Sequence, residues 1–188
     1  MTSSGQLHTA FKVYFDDMDN CRKAGAWWCL LHVVLCLPDI CAALESADGE
    51  TKGKRYKAWC DKYVNEPWLT GNELYQIRCR VLHQGRAKAD RMGRYDRFAF
   101  GHPSSHFTDH FRLEAGCLHV DVECLMNDVL AAVDRWIADI EASPSSASAR
   151  HVAAHLPALV RVTEVRVPFV VGHGVAGQPL VRVVNKTN

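Results

Sequence analysis

Arg78 and His83 stand five residues apart in Arg-Cys-Arg-Val-Leu-His, a permanent cation followed by an imidazole whose ordinary titration falls near neutral pH. Cleavage of a phosphodiester calls for such a pair. One group moves a proton and the other stabilises charge building on phosphorus. The segment carrying them is well delimited. Thr70 followed by Glu73 forms a capping box, in which the hydroxyl takes a free backbone N–H and the carboxylate reaches back to the cap. Leu74, Ile77, Val81 and Leu82 then repeat at helical spacing, and Gly85 supplies a left-handed stop. Five residues of helix separate the pair by about 140° of rotation and about 7.5 Å of rise. The spacing therefore predicts that the two do not stack on one face and that a single subunit holds an incomplete site.

Three side chains are candidates to support the pair. Glu73 and Asp39 are the carboxylates expected to partner Arg78, and Cys79 follows it directly. Asp39 lies on an otherwise apolar helix, where an unpaired carboxylate would be expensive. The net charge of +1 gives no global attraction to nucleic acid, but its distribution is uneven. Between Arg78 and Arg97, seven basic residues stand against Asp90 and Asp96. Arg80, Arg86, Lys88, Arg91 and Arg94 are the candidate contacts to a nucleic-acid backbone.

Two further constellations bear weighing. His102, His106 and His110 recur every four residues and would align on a helix as a zinc or nickel site. Pro103, Ser104 and Ser105 suit a helix start or a solvated loop better than a helix middle. Gly172, Gly174 and Gly177 fit Gly-x-Gly-x-x-Gly, but Pro179 and a valine-rich strand follow where a dinucleotide site needs a helix. A hairpin turn is expected there. The five tryptophans, Trp27, Trp28, Trp59, Trp68 and Trp136, are expected mainly in the core.

The positioning elements read as helices. Phe11, Tyr14, Phe15 and Met18 mark a first amphipathic helix over 7–23, and Ala24 and Gly25 break it. Residues 26–45 form an apolar helix with Pro38 inside it, where a kink is expected. Its length would permit a membrane span, but mid-segment Asp39 and Pro38 oppose that, so surrounding helices are expected to bury it on all sides. A third helix over 53–64 precedes the capped one. The stripe Val122, Leu125, Met126, Val129, Val133, Trp136, Ile137 and Ile140 gives a long last helix. Residues 97–101 and 117–120 suggest a small hairpin. A serine-rich linker at 143–148 leads to a short helix and two strands, 159–171 and 180–184. The expected fold is mainly α: an antiparallel up-and-down bundle of about five helices over 1–142, with a β hairpin insertion and a β-rich extension over 143–188.

Eight cysteines without a Cys-x2-Cys pair, several at apolar helical positions, read as free thiols of a reducing cytoplasm. The N-terminus lacks the basic-then-apolar build of a secretory signal.

Trp-Trp-Cys-Leu-Leu-His and Leu-Pro-Asp-Ile-Cys-Ala-Ala-Leu-Glu within 26–45, with Arg-Tyr-Lys-Ala-Trp-Cys-Asp-Lys-Tyr-Val and Leu-Tyr-Gln-Ile-Arg-Cys-Arg-Val-Leu-His-Gln-Gly, resemble bacterial proteins of the HEPN superfamily. The likeness runs to about residue 140. It implies a helical bundle that dimerises and carries an Arg, four to six residues, then His. In active members this pair serves a metal-independent endoribonuclease, often a toxin or defence effector. The signature falls on Arg78 and His83, while Cys79 stands where that family commonly has a polar residue. The expectation is a homodimer that pairs two such helices, cleaves RNA without a cofactor and leaves 2′,3′-cyclic phosphate ends, with an antitoxin as a possible protein partner. A non-catalytic bundle that binds a nucleotide, RNA or protein is the alternative. A metal-binding protein centred on His102, His106 and His110 is the third reading.

Overall fold

The structure is a computed structural model that describes residues 5–85, 94–103, 109–159, 169–171 and 181–183. Six α-helices and a small three-stranded sheet make up the main body, a mainly α helical bundle with a β insertion. Helix α1 (Gln6–Lys23) turns at Gly25, whose φ of 66° only glycine adopts without strain, into α2 (Trp27–Glu45). Helices α3 (Gly53–Tyr63), α4 (Gly71–Gln84), α5 (Val122–Ala142) and α6 (Ala147–His155) follow.

Helix α2 is the hub, touching α1, α3, α4, α5 and α6. Its Leu30, Leu31, Val34, Leu35, Leu37, Cys41 and Leu44 are buried, and α5 packs against it through the stripe read from the sequence. Pro38 lies inside α2, which continues to Glu45. By length and composition α2 could cross a bilayer; half of its apolar window is buried in the bundle. It is not covered on all sides as expected. Trp28 is 54% exposed, and Cys29 beside it is also exposed. Trp59 and Trp136 are core residues, but Trp68 joins Trp28 at the surface. A tryptophan at a helix entry or on a loop has no facing element to cover it.

Helix directions follow from individual bonds. Gly5 N–H donates to Glu141 Oε1 at 3.1 Å while Arg22 reaches Glu123 at 3.4 Å, so α1 and α5 run antiparallel. Gly71 N–H donates to Asp61 Oδ1 at 2.6 Å, and Tyr75 lies against Gly53, so α3 and α4 are antiparallel too. A Cβ on Gly71 would lie 2.1 Å from the Lys57 carbonyl oxygen. Only glycine lets the start of α4 come this close to α3.

The sheet departs from the expected hairpin between residues 97–101 and 117–120. Strand β1 (Arg97–Gly101) pairs with β3 (Cys117–Asp121) in parallel, Arg97 opposite Cys117 and Gly101 opposite Asp121. The hairpin is instead between β3 and the two-residue β2 (Leu113–Glu114), through Ala115 and Gly116 at φ 47° and 74°. Two positive φ values in a two-residue loop are what a tight hairpin demands. Strands β1 and β3 are not consecutive, and the stretch of chain between them, β2 included, is long enough to allow the parallel pairing. Asp121 then caps α5, accepting the Cys124 N–H at 2.9 Å.

Strands β4 (Phe169–Val171) and β5 (Val181–Val183) pair antiparallel. The glycine motif at 172–177 lies between them, outside the described residues. Helix α6 is capped by Ser146 and buries Ala149 and Val152 in the common core. All eight cysteines are free thiols.

Candidate phosphate site on helix α4

Helix α4 is built as its sequence dictates. Thr70 Oγ1 accepts the Glu73 N–H at 3.4 Å, Glu73 Oε2 accepts the Thr70 N–H at 2.9 Å, and Gly85 ends the helix at φ 58°. Leu74, Ile77 and Val81 are buried, which turns Arg78 toward α2 and leaves His83 exposed in the last turn.

Arg78 meets both of the groups that matter to it. Its Nε donates to Asp39 Oδ2 at 2.7 Å, and its Nη1 donates to His83 Nε2 at 3.0 Å. The two side chains thus meet within one subunit, although their spacing does not stack them on one face of the helix. Rotation and rise locate Cα atoms, whereas a long arginine side chain spans the gap between them. The result is a chain of three groups, Asp39 to Arg78 to His83, running from the α2 interface to solvent. Asp39 retains 14% of its side-chain exposure and Arg78 23%.

Electrostatics at this chain are uneven. Burial raises the Asp39 carboxyl above the ordinary carboxylate range, and the attraction of Arg78 and His83 offsets only part of that. Burial pulls Arg78 down, but the Asp39 carboxylate outweighs it and holds the guanidinium above its usual value. At 2.7 Å from a guanidinium, Asp39 is a carboxylate at neutral pH. Cys36 lies beside it; burial, and then the Asp39 charge, push that thiol up. Cys79 Sγ is 3.9 Å from Arg78 Nη1, a weak acceptor at most.

Glu73 is not part of this group. It is almost fully buried and takes Arg94 as a bidentate partner, Nε to Oε1 at 2.8 Å and Nη2 to Oε2 at 2.7 Å. Burial alone would raise its carboxyl, but the bonds from Arg94 and Thr70 prevail and hold it below the usual range. Of the two carboxylates offered as partners for Arg78, Asp39 takes that place, and Glu73 instead holds Arg94, a candidate nucleic-acid contact that also closes a pair within the fold. Nothing in the composition of a basic run distinguishes an arginine that closes a buried pair. Arg80 lies half-buried on α4. Arg86, Lys88 and Arg91 fall outside the described residues.

The histidine triplet does not sit on a helix where it is described. His102 stacks flat on Trp27, with ring centroids 5.2 Å apart. His110 Nδ1 accepts the Asp121 N–H at 3.1 Å, leaving Nε2 to donate to Asp128 at 3.2 Å. His106 is outside the described residues, among which no group of three or more His, Cys, Asp or Glu is arranged to hold a metal ion. The sequence reading missed a neighbouring cluster. His102, Asp109, His119 and Asp121 line a cavity of about 230 Å³ at the ends of β1 and β3, with His119 3.3 Å from Asp109. The parallel pairing brings His102 beside Asp121, and backbone bonds of Phe111 and Arg112 to His119 bring Asp109 in; no local pattern signals either.

Fold and site together define a helical bundle with an arginine–histidine couple anchored by a carboxylate from the neighbouring helix. Compared with protein-family models, curated proteins and solved structures, the chain matches none.

Proposed function

We propose that the protein is a metal-independent endoribonuclease of the HEPN type, acting through Arg78 and His83. The observation that carries the reading is the Asp39–Arg78–His83 chain, which sets a permanent cation and an exposed imidazole 3.0 Å apart on a capped helix. RNA brings its own nucleophile in the 2′-hydroxyl, so the protein need only move protons and stabilise charge. His83 would take the proton of the 2′-hydroxyl or, protonated, give one to the leaving 5′-oxygen. Arg78 would bind the non-bridging phosphate oxygens as negative charge builds on phosphorus. Asp39 is a positioning residue: it fixes Arg78 through Nε and turns the outer nitrogens toward His83 and the substrate. A homodimer apposing two α4 helices would supply acid and base from different subunits, and a toxin or defence role follows from such an activity.

The test is incubation of purified protein with unstructured RNA in EDTA. Cleavage leaving 2′,3′-cyclic phosphate ends, lost in His83→Ala while the melting temperature holds, supports the reading. Intact RNA under all conditions, with His83→Ala altering only stability, rejects it. The non-catalytic alternative has one observation in its favour: a thiol, Cys79, adjoins Arg78 where a stronger polar group would aid catalysis.

A further inference from the structure

Arg78 stands between two acceptors, and the chemistry of its guanidinium fixes the state of the second. An arginine only donates, so His83 Nε2, 3.0 Å from Nη1, is the bare ring nitrogen, and the neutral ring carries its proton on Nδ1. Both nitrogens are then committed, one to Arg78 and one to its proton. The ring cannot accept a further proton without releasing Arg78. As it stands, the couple is a closed form of the site.

We infer that the Arg78–His83 contact is a latch: it masks His83 as a base until a phosphate oxyanion claims Arg78 Nη1 and frees Nε2. The two ends of the guanidinium differ in the way this requires. The Asp39 end is partly buried and charge-paired at 2.7 Å, whereas the His83 end lies at the surface against a neutral acceptor. Both acceptors take charge-assisted bonds from the guanidinium, but a phosphate oxyanion adds its own negative charge and a pair of oxygens that fits the planar fork. A phosphate therefore outcompetes the imidazole but leaves the Asp39 anchor in place, and Arg78 pivots about Nε. Cys79 Sγ, 3.9 Å from Nη1, is only a weak acceptor. The ligand that opens the latch is also the group the freed base would act beside, so deprotonation waits for the substrate. The purpose of the latch rests on the nuclease reading; its existence does not.

The experiment reads the imidazole directly. In full-length protein with ¹⁵N-labelled histidine, the His83 ring signals are assigned by their loss in His83→Gln. Without anion, His83 is expected as a single neutral tautomer with Nε2 bare. Titration with inorganic phosphate, and separately with an uncleavable 2′-deoxydinucleotide, should move the Nε2 signal saturably toward exchange between tautomers. A response to both shows that the phosphate group suffices; a response to the dinucleotide alone assigns the opening to a diester. Arg78→Lys, which keeps the charge but lacks the planar fork, should lose the tautomer preference without any ligand. A resting spectrum with mixed tautomers, binding that leaves His83 unmoved, or no response to either anion overturns the latch. RNA cleavage is scored separately. Cleavage without a tautomer shift refutes the latch alone, and a shift without cleavage refutes the nuclease reading alone.

Discussion

Helix α4 carries two arginine–carboxylate pairs, one at each end, and they are set to opposite purposes. At the N-terminal end Glu73 is buried, and Arg94 engages it through two bonds while Thr70 adds its backbone N–H. The carboxyl is held below its ordinary range, which marks a pair the fold uses to hold itself together. Toward the C-terminal end Asp39 takes a single nitrogen of Arg78, its carboxyl is raised above the ordinary range, and the arginine spends another nitrogen on a surface imidazole. The first pair closes both of its bonds on one buried carboxylate. The second divides its bonds between a partly buried carboxylate and a surface imidazole, and a bond to a surface ring is one that a ligand can displace.

The sharpest way to break this comparison is at the exposed end. His83→Ala should reduce RNA cleavage by about two to four orders of magnitude, the span general acid–base catalysis supplies, with no change in denaturation midpoint. A fall in stability with unchanged cleavage would make the C-terminal couple a fastener like the other. The converse test is Glu73→Gln, expected to cost about 2 kcal/mol in urea denaturation because it weakens a buried, charge-assisted set of bonds. Cleavage per folded molecule should be unaffected. Asp39→Asn should shift stability by less than about 1 kcal/mol, since ionised Asp39 is held against a desolvation cost. It should instead tighten phosphate binding, because the competing negative charge beside Arg78 is gone; isothermal titration with inorganic phosphate measures this.

The smallest effect lies in the pH dependence of stability, and there the two carboxylates have opposite signs. Glu73 titrates below its unfolded value of 4.5, so its contribution is complete above that pH and is lost as pH falls through the lower folded value. Asp39 titrates above its unfolded value of 3.8, so its contribution is complete below that pH and is lost as pH rises through the higher folded value. Denaturation of Glu73→Gln across pH 3 to 6 should therefore show a flatter acid limb than wild type, and Asp39→Asn a steeper one. Parallel curves for the two variants would remove the distinction.

What the sequence made legible follows the range of the interactions involved. The Thr70–Glu73 box, the Gly85 stop and the α5 stripe depend on neighbours within a few residues, and each formed as read. The parallel pairing of β1 with β3 joins two strands that are not consecutive in the chain, and no local spacing encodes that. At the site, Asp39 was foreseeable as a carboxylate in need of a partner. Its choice of Arg78, and Glu73's choice of Arg94, are decided by how α2, α4 and the chain after α4 pack, which is invisible to periodicity. The direct contact of Arg78 with His83 was hidden for another reason: helical geometry locates backbones, and arginine reaches beyond them.

Glu45, at the last turn of α2, gathers three partners. Its carboxylate accepts Trp136 Nε1–H at 3.2 Å and the Ser148 hydroxyl at 2.8 Å, and its carbonyl lies 3.1 Å from His151 Nδ1. Two of the three, Ser148 and His151, reside on α6, which begins at the end of the serine-rich stretch. Anyone trimming this molecule to a minimal fragment should keep the chain through at least Leu156, whose side chain is buried in the common core. A cut at Ser143 would strip the seal from that end of the hub helix and leave a hydrophobic socket open to solvent.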